Sequence, residues 1–235
     1  MHLFYSQHIR DNEIRLTDQE AIHCSKVLRR KIGDRLNVLD GIGTRYSATI
    51  SEINKKVVLL NEVAIEQQDL TPYILPSISV GVLKNNTRME WLIEKSIEIG
   101  VAEINLLICQ RSERSKINVD RLHKIAVSAM KQSKRLWLPQ INGPIKIKNY
   151  LVDIDGGEFN LAHYISGQID LKDDQDVNRT KILIGPEGDF TNEEVKLAIE
   201  RGCNTVNLGS SRLRTETAGL FALTTLNNKL SKQNI

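Results

Sequence analysis

Two short segments near the C-terminal end hold residue types that packing alone does not require. The first is Ile184-Gly185-Pro186-Glu187-Gly188-Asp189-Phe190, which follows an apolar run and precedes Thr191-Asn-Glu-Glu194. Glycines in such a turn let backbone amides approach a ligand, and open α/β sheets bind ligands beyond the carboxyl ends of their strands. No Gly-Lys-Ser/Thr follows and the spacing is not Gly-x-Gly-x-x-Gly, so the segment is neither a P-loop nor a dinucleotide fingerprint. A plain tight turn is the competing explanation. The second segment is Leu208-Gly209-Ser-Ser-Arg212-Leu213-Arg214-Thr215-Glu216-Thr217-Ala218, also between a strand pattern and a helix pattern. Thr215 or Thr217 can cap the helix, and Glu216 suits the positive end of its dipole. Arg212 and Arg214 do not suit that end, and a bound anion, a ligand carboxylate or a nucleotide would resolve the conflict.

The elements that must position these segments follow from periodicity. Residues 1–70 read as a small β-rich module, with His2–Tyr5 as a short strand, then a Thr17-x-x-Glu20 capping-box spacing. That box opens a helix carrying Ile22, Val27 and Leu28 and running out near Lys31–Gly33. Further short strands and glycine turns predict a small barrel. Residues 71–76 are the linker. From Ser77 to Ile235, strands and helices alternate, which predicts a mostly parallel sheet covered by helices on both faces. Met89, Leu92, Ile93 and Ile97 mark one helix face closed by Gly100, and Val119–Ser133 is a second helix. Tyr150–Ile154 ends a third helix, and Glu158–His163 is a short strand. Lys181–Ile184 and Thr205–Leu208 are strands, Thr191-x-x-Glu194 repeats the capping-box spacing, and Glu216–Leu230 is the last helix. The acidic stretch Asp170–Asp176 reads as an exposed loop, and Trp91 as core.

The 235 residues carry a formal net charge of +3, which conceals an uneven distribution. Residues 111–150 hold ten basic against two acidic side chains, a net +8, whereas residues 151–180 hold two against seven, a net −5. A shorter basic cluster, Lys26, Arg29, Arg30, Lys31 and Arg35, faces only Asp34. Basic footprints on a balanced chain suit an anionic polymer, with a solvated charged face as the alternative. Three dispersed cysteines, Cys24, Cys109 and Cys203, fit neither a disulfide framework nor a zinc site, and the histidines lack metal-ligand spacing. No metal is expected. No apolar run reaches the ~20 residues of a membrane-spanning helix, and no secretory signal is visible, so a cytoplasmic protein without a membrane partner is expected.

The pairing of Gly185-Pro-Glu-Gly188 with Leu208-Gly209 and Leu213-Arg-Thr-Glu-Thr-Ala218 closely resembles the small-subunit ribosomal RNA uridine-N3-methyltransferase family of the SPOUT superfamily. His23-x-x-x-Val27-Leu-Arg29 with Gly33-Asp34, then Lys95–Gly100, Arg111-Ser112 and Ala129-x-x-Gln132-Ser-x-Arg135 match it in order, so the resemblance spans nearly the whole chain. It implies an N-terminal PUA-like RNA-binding barrel over 1–70 and a C-terminal SPOUT-type α/β domain over 77–235 with a deep trefoil knot. It also implies a homodimer that binds S-adenosylmethionine in the knot and methylates a uridine of small-subunit ribosomal RNA, as free RNA or in the assembled subunit.

By the same resemblance, Ile184, Gly185, Pro186, Glu187, Gly188, Leu208, Gly209, Leu213, Arg214, Thr215, Thr217 and Ala218 would wrap the cofactor. Uridine N3 carries a proton, so transfer needs a base or cations that stabilise the anion. Glu216 is the candidate base, and Arg214 and Arg212 are the candidate cations. The implied RNA footprint is Arg10, Lys26, Arg29, Arg30 and Lys31 in the barrel, with Arg111, Arg114, Lys131, Lys134 and Arg135 beyond it. Trp137 either stacks on a base or packs. Three departures stand out. Asp189 replaces a usual glycine, which the turn tolerates because Asp can adopt left-handed backbone. Ser211-Arg212 stands where an Arg-aliphatic pair is usual, and Lys131 replaces an acid. A knotted ribose 2′-hydroxyl methyltransferase and a non-catalytic RNA-binding assembly protein remain the alternative functions.

Overall fold

The computed structural model describes residues 2–70, 75–152, 159–162 and 180–233. Packing divides the chain into two compact units, Met1–Tyr73 with Val127–Leu138, and Ile74–Ala126 with Pro139–Ile235.

The first unit is built on strands β1 (Leu3–Tyr5), β2 (His8–Arg10), β3 (Glu13–Thr17), β4 (Arg35–Leu39), β5 (Thr44–Ile53) and β6 (Val57–Gln68). They form one sheet in the order β1-β4-β5-β6-β3-β2, antiparallel except for the β1–β4 pair. The sheet curls back on itself at Ser6. Its amide donates to Leu39 O on β4 at 3.0 Å and its hydroxyl to Arg15 O on β3 at 2.6 Å. Phe4, Leu16, Val38, Ile50 and Leu60 fill the interior. The β2–β3 hairpin is absent from the sequence reading because its strands are short and its turn, Asp11-Asn12, lacks glycine.

Two local expectations fail here. Helix α1 (Asp18–Ile22) has Thr17 at its N-cap, but the threonine makes no capping bond. Glu20 instead accepts the Tyr5 amide at 3.1 Å and pairs with Lys131, since an unpaired strand amide and a cation outbid a local back-bond. The helix then continues as a turn of π-helix, His23–Val27, rather than running on to Gly33. Ala21 and Cys24 are buried there, while Ile22 and Val27 are 37% and 63% exposed. Residues 127–138 also belong to this unit, although composition puts them with the C-terminal domain. Met130 and Leu136 pack on Leu3 and Leu39, and Leu136 O and Leu138 N bond Gly43 N and Gly41 O. Trp137 packs rather than stacks outward, its ring lying where a Cβ on Gly43 would come within 2.8 Å.

The second unit holds an all-parallel sheet of β7 (Ser77–Gly81), β8 (Glu103–Ile108), β9 (Gln140–Lys146), β10 (Phe159–Ala162), β11 (Lys181–Ile184) and β12 (Asn204–Val206). Its order is β12-β10-β11-β7-β8-β9. Every residue of β7 is buried, as expected of a central parallel strand. The sequence reading omits β9 because Gly143-Pro144 interrupts it, and a proline is tolerated at the sheet edge that β9 occupies.

Helices α2 (Asn86–Ile99), α3 (Val119–Ser133), α4 (Ile147–Val152), α5 (Asn192–Glu200) and α6 (Thr215–Gln233) complete the chain. α3 has the expected bounds and crosses from the second unit into the first. Both faces of the sheet are covered. Ser79 bonds Tyr150 of α4 at 2.7 Å, and its register neighbour Leu183 packs with Val195 of α5. Ile78, which alternates with Ser79, meets α6 at Gly219. Met89, Leu92, Ile93 and Ile97 of α2 are buried as their spacing predicts, and Gly100 ends the helix at φ +119°. Trp91 on the same helix is 44% exposed rather than core, because it falls outside that row. The three cysteines are buried and free. Among the described residues no helix is long and apolar enough to cross a membrane. The acidic Asp170–Asp176 stretch, the 153–154 end of the expected helix and both ends of the Glu158–His163 strand lie outside the described residues.

Candidate active site

Helix α5 and the turn before it are locally determined. Thr191 accepts the Glu194 amide at 3.3 Å and Glu194 accepts the Thr191 amide at 2.9 Å, the reciprocal capping box that the spacing predicts. The second Glu194 oxygen accepts Gln110 N at 2.7 Å, which fixes the loop after β8 against this helix. Upstream, Asp189 N donates to Pro186 O at 2.9 Å and closes a turn in which Asp189 has φ +61°. The left-handed conformation expected of Asp189 is therefore present, and its carboxylate accepts the Phe190 amide at 2.8 Å. Arg111, expected on RNA, donates to Gly188 O at 2.9 Å and Phe190 O at 3.2 Å, holding the turn from outside.

A cavity of about 420 Å³ opens at the carboxyl ends of β10, β11 and β12. Ile184, Gly185, Pro186, Glu187 and Asp189 form one wall, and Leu208, Gly209, Ser211, Arg212, Leu213, Arg214, Thr215 and Ala218 the other. All the sequence-predicted cofactor residues line it except Gly188 and Thr217. The walls are joined directly, because the Thr215 hydroxyl donates to Gly185 O at 2.9 Å. Thr215 is thus a strut between loops rather than a helix cap. Gly209, at φ +122°, holds a conformation that a side chain would strain, and Asn207 accepts its amide at 2.8 Å.

Close backbone approach sets the floor. A Cβ on Gly81 would lie 2.5 Å from Pro186 N, so the end of β7 and the turn after β11 touch through main chain. Gly81→Ala should therefore destabilise the protein by about 2 kcal/mol, as overpacking without room to relax does. Urea unfolding checks this against Gly202→Ala, where no atom crowds the added Cβ but φ is +87°.

Charge in the cavity is organised by Arg88, a residue the sequence reading missed. It lies in the first turn of α2, lines the cavity, and grips Glu216 through Nε–Oε1 at 2.8 Å and Nη2–Oε2 at 2.5 Å. Its Nη1 stands 3.6 Å from Glu187 Oε1, which also accepts Lys84 N at 3.2 Å. The signal was available: an arginine in the first turn of a helix is as anomalous there as Arg212 and Arg214 are before α6. Glu216, expected as a base facing the cavity, is buried under Arg88 and is not among the lining residues. Burial raises its carboxyl pKa, but the Arg88 hydrogen bonds, its own backbone amide and the charges of Arg88 and Arg214 outweigh this. The pKa falls below the usual carboxylate value. Arg212 and Arg214 line the cavity, exposed, with no ion-pair partner among the described residues.

The remaining basic residues divide by their partners. Lys131 is committed to Glu20, Arg114 to Asn86 and Lys84 O, and Arg30 lies 3.8 Å from Asp34. Arg135 is half-buried, whereas Arg10, Lys26, Arg29, Lys31 and Lys134 are exposed. Among the described residues no histidine, cysteine or acidic group forms a metal cluster.

Known proteins share this plan. The family profile described as an RNA methyltransferase domain matches residues 75–227, and that described as an RNA methyltransferase PUA domain matches residues 16–63. The chain is 30% identical over 219 residues to ribosomal RNA small subunit methyltransferase E of Buchnera aphidicola subsp. Acyrthosiphon pisum, covering 90% of this chain and 86% of that protein. A probable rRNA-methyltransferase from Porphyromonas gingivalis superposes with a TM-score of 0.85 at 36% identity, covering 99% of this chain and all of that one. The ribosomal RNA small subunit methyltransferase E from Neisseria gonorrhoeae, bound to S-adenosyl methionine, gives 0.84 at 25% identity over 97% of each chain.

Proposed function

The chain belongs to the family of ribosomal RNA small subunit methyltransferase E, and from that premise we propose that it transfers a methyl group from S-adenosylmethionine to N3 of a uridine in small-subunit ribosomal RNA. The observation that carries this reading is the cavity itself. Two glycine-bearing loops meet over it, and the guanidinium groups of Arg212 and Arg214, which have no ion-pair partner among the described residues, line it.

The residues present fit the cofactor. Ile184, Leu208, Leu213 and Ala218 offer apolar wall to an adenine ring, while the amides around Gly185 and Gly209 offer polar backbone. The volume lies in the ~300–1,000 Å³ range of small-molecule sites. Bound there, S-adenosylmethionine supplies a methyl already activated on sulfur, so the protein's task is position and electrostatics. Uridine N3 becomes a nucleophile as its proton leaves. Arg214, with Arg212 beside it, stabilises the negative charge that then spreads onto the ring oxygens, each pKa unit of easing being worth about 1.4 kcal/mol. Glu216, held below the carboxylate range and spent on Arg88, is a weak base. Its role in this reading is to hold Arg88, and the N3 proton passes to water.

The finer topology and assembly belong to the same reading. β11 inserts between β10 and β7 while α6 returns against α2 and β7, which suits the family's trefoil knot. Trp91 on α2 and Phe221 on α6 are 44% and 50% exposed, each within a turn of the contact between Leu92 and Gly219. That apolar face supports a homodimer. Trp91→Lys with Phe221→Lys should convert a dimer to monomer in sedimentation analysis, and an unchanged mass would refute this face.

The activity is tested with tritiated S-adenosylmethionine and small subunits from a strain deleted for the gene. Label should enter small-subunit RNA, and mass spectrometry should find it on uridine N3. A ribose 2′-O-methyl product, or no incorporation together with no cofactor binding in calorimetry, would refute the reading.

A further inference from the structure

The turn after β11 has an inner face and an outer face. Gly185, Pro186, Glu187 and Asp189 line the cavity, whereas Gly188 does not. Gly188 meets Arg111. A Cβ on Gly188 would lie 2.9 Å from Arg111 Cβ and 3.4 Å from Arg111 Cδ, so the glycine makes room for an arginine stem. The guanidinium then spans Asp189, its Nη1 donating to Gly188 O at 2.9 Å and Phe190 O at 3.2 Å. Arg111 is itself held. Cys109 N donates to Ser112 Oγ at 3.0 Å, Ser112 N to Cys109 O at 3.1 Å, and Gln110 N to Glu194 Oε1 at 2.7 Å. The same short segment reaches the other side of Glu187. Glu113 pairs with Lys84 at 2.6 Å, and Arg114 donates to Lys84 O at 3.4 Å and to Asn86 Oδ1. Lys84 N in turn donates to Glu187 Oε1 at 3.2 Å. Residues 111–114 thus fasten both the turn after β11 and the loop after β7, and none of them lines the cavity.

We infer that Arg111 is a positioning residue for the cofactor, holding from its outer face the turn whose inner face lines the cavity. The inference rests on S-adenosylmethionine binding in that cavity, and adds a residue that sets how tightly it binds. The turn is closed by the backbone bond from Asp189 N to Pro186 O, with Asp189 at φ +61°. Left-handed backbone at a residue other than glycine persists only where its surroundings hold it. One charged nitrogen bridging the carbonyls on either side of Asp189 supplies that hold, and charged donors make the stronger hydrogen bonds. A ligand that meets a preformed turn loses no affinity to ordering it. A turn that rocks lowers the apparent affinity by the fraction of time it is competent. A solvated cation that served phosphate alone would need no glycine opposite its stem.

Calorimetry of the full chain with S-adenosylmethionine, in the absence of RNA, tests this. Arg111→Ala should weaken cofactor binding about tenfold, the turn then being competent about a tenth of the time. Fluorescence anisotropy should find a labelled oligouridylate bound as in wild type, with the same salt dependence. In methylation assays the KM for cofactor should rise while kcat at saturating cofactor stays within about twofold of wild type. Loss of folded protein alone would lower kcat and leave KM unmoved. Arg111→Lys keeps the charge and the stem against Gly188, but its ammonium reaches one bond short, so it should recover part of the cofactor affinity. This variant keeps the test informative if Arg111→Ala unfolds, since its cofactor affinity should still fall below wild type. Cofactor binding undiminished in both variants overturns the inference, as does a fall in kcat with KM unmoved. So does weakened oligouridylate binding with cofactor binding intact, which would make Arg111 a phosphate contact. A wild-type chain that binds no S-adenosylmethionine overturns the functional reading itself, so the two failures are distinguishable.

Discussion

Arg214→Ala is expected to lower methyl transfer at least about a hundredfold while leaving the unfolding temperature within about 2 °C of wild type. The guanidinium is exposed, lines the cavity and has no ion-pair partner among the described residues, so the folded state loses little when it goes. On the proposed reaction, the transition state would lose the cation that stabilises the charge left on the uridine ring. A preorganised donor at such a position is worth about 3 kcal/mol, most of it in turnover rather than in substrate affinity. Arg214→Lys should recover part of the rate because the charge survives, although the planar fork does not. Single-turnover assays with saturating cofactor measure both. A variant that methylates at the wild-type rate would remove Arg214 from the chemistry.

The second large effect is at Arg88, with a different signature. Arg88→Met leaves Glu216 buried without its partner, and the loss should be about 3 kcal/mol of stability as well as most of the activity. Glu216→Leu in the same chain removes the orphaned charge and should restore much of the stability, since a paired apolar replacement is often tolerated. Activity should stay low in the double variant, because Arg88 also reaches Glu187 on the opposite wall. If activity returned with stability, Arg88 would be a structural strut and nothing more. The pair also sets a pH dependence. The folded-state pKa of Glu216 is depressed, so its contribution is fully present above the unfolded carboxylate value of about 4.3 and is lost as pH falls through the folded value. Acid unfolding of Glu216→Gln should therefore be less steep than that of wild type.

The two cavity-lining loops, the Asp189 turn, the Thr191–Glu194 capping box and the bounds of α3 were legible in the sequence. Each depends on residues within a few positions of one another, where periodicity, turn chemistry and capping are strong. Motif resemblance then supplied the family, and residues of the Gly185–Gly188 and Leu213–Ala218 segments line one cavity. Other features needed the folded chain. Arg88 and Glu216 stand 128 positions apart, and Glu20 and Lys131 stand 111 apart, so neither pair leaves a local trace. The same holds for Arg111, which reads as free charge until its contacts with Gly188 and Phe190 are seen. Charge clusters in sequence count ions without their partners, and the tertiary structure decides which cations remain available. For this protein the chain's local chemistry determined the family and the two loops that line the cavity. The long-range contacts decided that Arg88 grips a buried Glu216, and that Arg212 and Arg214 line the cavity with no ion-pair partner among the described residues.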